Sequence, residues 1–464
     1  MDFSASNTLL WNMVLQGGTI ALILMAANML RHNLPIIRKS LMPMAVLGGF
    51  LLLALRTTGL VRFNPDLLEM ITYHGIALGF IALSLRTSRE DSPGKEGAAV
   101  KSGALIVSCY ALQGIIGLII SLGLAYTLMP GFFKAAGILL PMGYGQGPGQ
   151  ANNIGTVYEG LGFTGGRSFG LAVAAAGYLS ACIVGVIYLN ILKRRRLISL
   201  KQPGEISGSV TVDLFQDENE IPLAESVDKM SIQFALILIA YFLTYWVIRG
   251  LSAAAGLLGE GTGGMVSSLL WGFNFIVGSL MAMIIGKVLG GLKKSSVIRR
   301  QYQNNYLLSR IAGLAFDLMV IAGIASINLP DLRGLWFPFA LFSLSGAFLT
   351  LWYLTWICKK IYRGYYYEGL VSMYGMMTGT ISSGVLLLRE LDPEYQTPAA
   401  DNLVNGTAVA ILFGIPILAL IGIAPNSTAA VWTVLGLLVI YLGLLILFML
   451  KAKGKPGATS NFNH

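Results

Sequence analysis

The chain has 464 residues, of which 55% are hydrophobic and only 12% are charged, and its formal net charge is +10. A soluble domain carries roughly 25% charged residues, so this composition excludes an ordinary soluble globular protein and predicts a polytopic membrane protein. The basic residues form short clusters beside apolar runs rather than a stripe with interleaved aromatic residues. The positive charge therefore indicates loops that obey the positive-inside rule, and no nucleic-acid partner is expected.

About eleven apolar runs follow one another along the chain, and each predicts a transmembrane helix. In chain order they cover residues 9–30, 41–55, 67–85, 103–129, 169–192, 232–248, 265–288, 307–329, 335–358, 404–424 and 429–450. The second run is short for a membrane span.

Lys and Arg residues are concentrated in alternate loops between these runs, as in Lys193–Arg196, Lys293–Lys294 and Lys359–Lys360. Cytoplasmic loops carry the excess of basic residues in membrane proteins. The N-terminus is therefore predicted to lie outside and the C-terminus in the cytoplasm. The polar stretch 193–229 is typical of a cytoplasmic linker between two halves.

Each half carries one glycine-rich polar strip, Gly143–Gly155 in the first and Tyr374–Gly384 in the second. Glycine and proline at this density destabilise a helix, so neither strip is expected to be an ordinary membrane helix. Irregular backbone is tolerated at membrane depth only where protein or a water-filled cavity covers it. A matched pair of interrupted segments in two halves is the best sequence indication of a transporter's binding site.

The two halves also match in order, because a fourth span leads to the strip in each and a new span follows it. The predicted fold is an all-α polytopic membrane protein with two inverted-topology repeats of about five transmembrane helices, each with a re-entrant hairpin, plus an extra C-terminal helix. The N-terminal repeat is predicted to cover residues 1–192, with an outer re-entrant hairpin at about 130–163, and the linker covers 193–229. The C-terminal repeat is predicted to cover 230–424, with an inner re-entrant hairpin at about 364–398, and residues 425–464 form the extra helix and the tail.

The polar groups of the strips are hydroxyls and amides. Backbone carbonyls and hydroxyls can bind sodium without burying a full charge, and the N-terminus of a broken helix offers N–H donors to a carboxylate. The predicted substrate-binding residues are Gln146, Gly147, Asn152, Asn153, Thr378, Gly379, Ser382 and Asn402. The predicted sodium-binding residues are Thr380, Ser383, Asp401 and Asn405. No cofactor is expected apart from Na+ as the coupling ion, and no other metal.

Few charged residues lie inside the predicted spans. Asp401 precedes Asn405 by one helical turn, so both lie on one helix face; Asp401 either contacts a cation or the substrate, or it caps the helix. Asp317 follows Arg310 on roughly the same face, which favours a structural ion pair or polar contact slightly over a transport role.

These strips and the residues after them resemble the sodium/glutamate symporter family. The run Gly143–Gly155, followed by Tyr158–Thr164, is similar to that family's first glycine-rich motif and its continuation. The run Thr397–Asn402 is similar to its second motif. The resemblance implies an inverted repeat, a re-entrant loop in each half, a homodimer, and Na+-coupled uptake of L-glutamate across the bacterial cytoplasmic (inner) membrane.

The sequence departs from that family pattern at several positions. Gln146 and Pro148 replace a His-Gly-Thr run, Asp401 stands where alanine is usual, and residues 386–396 form an insertion. We therefore predict a sodium-coupled secondary active symporter for glutamate or a related anionic amino acid. The alternative is a sodium- or proton-coupled transporter of another small carboxylate.

Two other functional classes fit the sequence less well. A passive channel needs a continuous pore with rings of charges or carbonyls, whereas the two strips are asymmetric. A membrane enzyme needs a nucleophile, a base or a metal constellation. The chain has no H-E-x-x-H motif and no cluster of histidines with acids, so no enzymatic activity is expected.

Overall fold

The structure is a computed structural model, and it describes residues 4, 7–35, 37, 41–86, 95–197, 229–257, 259–298, 300–392 and 397–451. Every extended regular element among these residues is helical, and none of them forms a β-strand. The prediction of an all-helical protein is therefore confirmed for the described part of the chain. Most of the predicted linker 193–229 lies outside the described residues.

The described residues of the first half form six α-helices, one 3₁₀ turn and one π-helical turn. The α-helices are α1 (Thr8–Asn33), α2 (Met44–Thr57), α3 (Pro65–Ser84), α4 (Lys95–Tyr126), α5 (Pro148–Gly160) and α6 (Gly166–Arg194). Between α4 and α5 lie a 3₁₀ turn, Lys134–Ile138, and a π-helical turn, Pro141–Gly145.

Nine α-helices are formed by the residues of the second half that the structure describes. They are α7 (Lys229–Gly256), α8 (Glu260–Gly272), α9 (Asn274–Lys294), α10 (Asn305–Ala325), α11 (Trp336–Ile361), α12 (Tyr366–Thr378), α13 (Ile381–Arg389), α14 (Ala399–Ile423) and α15 (Thr428–Lys451). Short 3₁₀ turns, Leu329–Leu332 and Ala424–Asn426, lie before α11 and between α14 and α15.

Ten of the described helices are long and apolar enough to cross a membrane: α1, α3, α4, α6, α7, α9, α10, α11, α14 and α15. The remaining short apolar run is α2, with 14 residues. The outward surfaces of α1, α7 and α15 are apolar, as Met25, Phe242 and Ile440 illustrate, each with 60–62% of its surface exposed. Apolar surface on this scale requires a lipid environment, so the chain is an integral membrane protein.

The predicted span 265–288 is not one helix. It divides into α8 and α9 at Phe273, whose backbone leaves the helical conformation with φ −102° and ψ 28°. The side chains that hold this break come from distant helices, which is why an apolar run alone did not reveal it.

Helix starts follow local sequence signals. At the start of α3, Oδ1 of Asn64 accepts a hydrogen bond of 3.0 Å from the backbone N–H of Asp66, and Pro65 occupies the first helical position. Asn304 caps α10 in the same way, since its Oδ1 accepts from the N–H of Leu307 at 2.8 Å. Asparagine caps and a proline in the first turn are the expected helix-start chemistry.

Small residues allow the central helices to approach closely. Gly75 and Gly79 lie one turn apart on α3, against Met319 and the ring of Phe316 on α10. Between α4 and α14, Gly103 packs against Val409 and Gly406 packs against Ser102. Interfaces of this small-xxx-small type are common between membrane helices, because van der Waals packing rather than hydrophobic burial drives their association.

The helices make two main groups of contacts. In one group, α3 packs on α9 and α10, with α1, α2 and α7 beside them. In the other group, α4 packs on α11 and α14, and α6 packs on α5 and α12. The two groups meet where α5 contacts α3 and α10, and this meeting region contains the candidate site.

Candidate functional site

The first glycine-rich strip is interrupted at Gln146–Gly147, which we call the first interruption. It separates the π-helical turn from α5. Gly147 has φ +85° and ψ −172°, a backbone conformation that is essentially restricted to glycine. Pro148 then occupies the first turn of α5, where its missing N–H costs no helical hydrogen bond. The sequence Gly147–Pro148 thus explains locally where the helix must restart.

The second strip is interrupted at Gly379–Thr380, the second interruption, which separates α12 from α13. Gly379 has φ −139° and ψ −108°, and Thr380 is extended. Neither Thr380 nor Gly147 caps the following helix with a side-chain hydrogen bond. Uncapped helix N-termini present backbone N–H groups and partial positive charge, and both features favour an anion.

Outside these interruptions the strips are helical, which differs from the expectation. The other glycines serve close packing instead: a β-carbon on Gly143 would lie 2.8 Å from the backbone N of Ala174, and one on Gly155 would lie 2.7 Å from Cα of Arg167. Glycine thus lets α6 approach the strip along its length.

The two interruptions lie against each other. A β-carbon placed on Gly147 would lie 3.7 Å from Cγ2 of Thr380 and 3.8 Å from the carbonyl oxygen of Gly379. It would also lie 3.5 Å from the hydroxyl oxygen of Tyr178 on α6. One strip from each half of the chain therefore contributes to a single site.

Several buried polar atoms around the interruptions lack a hydrogen-bond partner among the described residues: Oε1 of Gln113, the hydroxyl of Ser383, and both amide atoms of Gln150. The amide nitrogen of Gln113 donates to Oγ1 of Thr350 (3.0 Å) and to the carbonyl of Met377 (2.9 Å). These bonds hold its oxygen toward the first interruption, 3.0 Å from a β-carbon placed on Gly145.

The second interruption has a similar unpartnered group. The hydroxyl of Ser383 lies 2.8 Å from a β-carbon placed on Gly379, and the carbonyl oxygen of Gly375 lies 3.1 Å from it. Buried polar atoms are nearly always paired in native proteins, so a cluster of orphans calls for an unseen partner such as water, an ion or a ligand.

A cavity of about 80 Å³ opens beside the two interruptions. A single water needs roughly 10–15 Å³ of such space, so the cavity accommodates several water-sized groups. Residues of the interruptions and of α4 and α14 form one side, including Tyr110, Gln146, Gly379, Thr380 and Thr407. The helices α3, α9 and α10 contribute only apolar side chains to the lining, which we call the apolar wall: Ile76, Phe80, Phe275, Ile276, Phe316 and Met319.

The cavity brings together some of the predicted site residues. Gln146, Gly379 and Thr380 line it, and Gly147 contacts Thr380 beside it. Ser383 follows on α13 with its hydroxyl unpartnered. Asn405 on α14 is exposed. The side chains of Ser382 and Asp401 lie outside the described residues.

The remaining predicted residues form hydrogen bonds away from the cavity lining. Thr378 donates its hydroxyl to the carbonyl of Tyr374 at 2.8 Å. Asn402 donates from Nδ2 to the hydroxyl of Tyr365 at 2.8 Å. Burial raises the pKa of this tyrosine, so its hydroxyl stays protonated at neutral pH.

Asn152 and Asn153 fasten α5 to neighbouring helices. Oδ1 of Asn152 accepts from Nε of Arg167 at 2.9 Å, and Nη1 of Arg167 lies 3.1 Å from Oε2 of Glu69 on α3. Asn153 donates from Nδ2 to the carbonyl of Gly272 at 2.7 Å. The α8–α9 break is thereby joined to the first glycine-rich strip.

Sequence reasoning missed Tyr110, Gln113 and Tyr178 and the aromatic part of the apolar wall. A glutamine within the otherwise apolar α4 is a detectable signal, because a polar side chain inside a span marks a functional position by default. The tyrosines and phenylalanines carry no such signal, since aromatic residues are ordinary core residues.

Asp317 and Arg310 do not pair in the structure. The guanidinium of Arg310 lies over the ring of Tyr306, 5.1 Å from its centroid. Asp317, in the middle of α10, makes no hydrogen bond or ion pair with a described residue. The predicted alternative of a structural ion pair with Arg310 is therefore not observed.

The pentapeptide Gly166–Gly170 has the G-x-S-x-G spacing of some serine hydrolases. Ser168 lies at the start of a membrane helix rather than between a strand and a helix. Its hydroxyl donates to Oδ2 of Asp331 at 2.9 Å and accepts from the backbone N–H of Asn328 at 3.3 Å. These contacts join α6 to the turn before α11, which gives this serine a structural role.

No protein-family model matches the chain, and neither a curated protein nor a solved structure is similar enough to count as a match.

Proposed function

We propose that this chain is a cation-coupled secondary transporter of a small carboxylate, with Na+ as the coupling ion. One observation carries the proposal: two helix interruptions, one from each half of the chain, meet beside a cavity and are surrounded by unpartnered polar atoms. Broken helices that meet near the membrane midplane are the usual way in which transporters hold substrate and ion.

The ends of the broken helices supply the two kinds of ligand group. The N-termini of α5 and α13 offer N–H donors and partial positive charge to a carboxylate. The carbonyl end of α12, with Gly375 O and the hydroxyl of Ser383 near Gly379, offers oxygen atoms to a cation. Both ligands can thus be bound without a buried protein charge, which is expensive in a membrane.

Helix packing supports an inverted repeat. In the first half α1 packs on α2, and α2 packs on α10; in the second half α7 packs on α9, and α9 packs on α3. When α1, α2 and α3 are exchanged with α7, α9 and α10, respectively, the α1–α2 contact becomes the α7–α9 contact. The α2–α10 contact likewise becomes the α9–α3 contact. The helices around the two interruptions are then the mobile half of an alternating-access cycle, and α3, α9 and α10 are the fixed half.

The topology, location and assembly that we propose rest on the sequence alone. The basic loops support an N-terminus outside and a C-terminus in the cytoplasm of a bacterial cytoplasmic membrane. Cysteines introduced at Ser295 and Ser427 into a cysteine-free variant are expected to react with impermeant reagents from opposite sides. The family resemblance is the basis for proposing a homodimer and an anionic amino acid such as L-glutamate as a substrate to test.

The deciding experiment is uptake into proteoliposomes. We expect a labelled carboxylate to accumulate against its gradient when an inward Na+ gradient is imposed, and to leak out when an ionophore collapses that gradient. Gly147→Leu is expected to abolish accumulation, because its side chain would meet Thr380, whereas Gly160→Ala at the open end of α5 leaves it unchanged. Flux that equilibrates without any gradient would instead identify a channel.

A further inference from the structure

We propose that the substrate is a monocarboxylate with an apolar side group, aromatic or branched, rather than a dicarboxylate such as glutamate. The inference rests on the proposed transport function and assigns the substrate class of that site. It comes from the lining of the cavity, whose few polar groups all lie on the interruptions, α4 and α14, while the remaining lining residues are apolar or glycine.

The polar side of the cavity suits one carboxylate. Gln146 and Thr380 lie there with the N-termini of α5 and α13. The unpartnered oxygen atoms of Gln113 and Ser383 lie close by. This side therefore offers hydrogen-bond donors to one anionic headgroup and oxygen atoms to the coupling cation.

The apolar wall offers nothing to a second carboxylate. None of the described residues that line the cavity is charged. The ring of Phe80 lies 5.0 Å from that of Phe275 and 5.5 Å from that of Phe316, centroid to centroid. A second carboxylate against these rings would lose its hydration without gaining a counter-ion, whereas an apolar group would bury surface there.

Three arginines of the described helices are held by other partners. Arg167 binds Glu69 and Asn152, and Arg310 stacks on the ring of Tyr306. Arg56 of α2 donates to the carbonyl of Ala325. None of these three arginines is among the residues that line the cavity, so none of them is placed to receive a second carboxylate at the apolar wall.

The test uses the full-length protein in proteoliposomes under an inward Na+ gradient. Labelled L-phenylalanine, L-leucine and phenylpyruvate are compared with labelled L-glutamate and L-aspartate. We expect at least one apolar acid to accumulate about tenfold or more over glutamate, as the burial of one apolar side chain predicts. The pair phenylalanine and phenylpyruvate shows whether the 2-amino group is required.

A matched pair of variants tests the apolar wall. Phe316→Arg places a cation there and is expected to lower uptake of the apolar acid and raise that of glutamate. Phe316→Leu keeps the wall apolar and is expected to retain the wild-type preference and to fold normally. Retention of the wild-type preference by a folded Phe316→Arg protein would overturn the proposal.

The outcomes separate the two claims. Na+-driven accumulation of glutamate but not of the apolar acids would overturn this inference and leave the transport function standing. No Na+-driven accumulation of any carboxylate would overturn the transport function itself. Because the comparison of acids uses the wild-type protein, it remains decisive even if Phe316→Arg does not fold.

Discussion

Replacing Gly147 with alanine tests the backbone break itself rather than the space around it. A β-carbon at this position would have its nearest neighbour at 3.5 Å, an ordinary van der Waals contact. The backbone, however, has φ +85° and ψ −172°, a region that costs a side-chain-bearing residue about 1–3 kcal/mol. The alanine variant should therefore be destabilised for conformational reasons alone.

That cost has a measurable consequence. About 1–3 kcal/mol corresponds to a population ratio of roughly 5- to 150-fold, enough to lower both the midpoint of thermal unfolding in detergent and the rate of Na+-driven uptake per folded molecule. Gly160→Ala is the matched control, because Gly160 ends the same helix and a β-carbon there meets nothing within 4 Å. We expect the control to match wild type or to exceed it slightly, since alanine favours the helix. An alanine at 147 with wild-type stability and uptake would refute the claim that this break requires glycine.

Three further predictions concern the surrounding helices. Gly117→Ala should be strongly destabilising in thermal unfolding, because its β-carbon would overlap the carbonyl oxygen of Gly137; overpacking of this kind costs about 1–3 kcal/mol or more. Glu69→Gln should lower stability by no more than about 1 kcal/mol, since the ion pair with Arg167 is partly exposed and such pairs contribute little. Asp317→Leu should raise the midpoint of thermal unfolding, because it removes an unpaired carboxylate from a span. The gain in the free energy of unfolding should stay below the cost of a charge fully embedded in lipid, which is about 2.5–3.5 kcal/mol.

Each of these has its own check. Gly123→Ala on the same helix as Gly117 has open space, and equal losses in both variants would exclude the proposed steric clash. A double-mutant cycle with Glu69→Gln and Arg167→Gln measures the ion pair directly, and a coupling well above 1 kcal/mol would contradict the prediction. A lower midpoint for Asp317→Leu would show that this carboxylate has a stabilising partner.

The sequence predicted the class of the molecule well, since long apolar runs are sufficient to specify membrane helices. Ten spanning helices in the described residues confirm an all-helical integral membrane protein. The caps at Asn64 and Asn304 are likewise local signals. The break at Phe273 was missed because an apolar run does not show where one helix ends and the next begins. The hydrogen bonds that mark it come from other helices, from Tyr73 to the carbonyl of Trp271 and from Asn153 to the carbonyl of Gly272.

At the site, the sequence located the two strips but not the role of each residue within them. Asn152 and Asn153 have the same chemistry as a substrate ligand, yet their amides bind Arg167 and Gly272. Phe80 and Phe316 carry no sequence signal that distinguishes them from core residues, and only the packing of α3 and α10 places them in the cavity lining.

By itself, the sequence determined that glycine-rich segments interrupt two membrane-embedded regions, because glycine and proline destabilise a helix wherever they occur. Only the tertiary structure decided which glycines break the helix and which allow close packing. Gly147 adopts a backbone conformation closed to other residues, whereas Gly143 and Gly155 are helical and leave room for the backbone of α6. The local preference of glycine is the same in both cases, and the difference comes from the neighbour that the fold places against it.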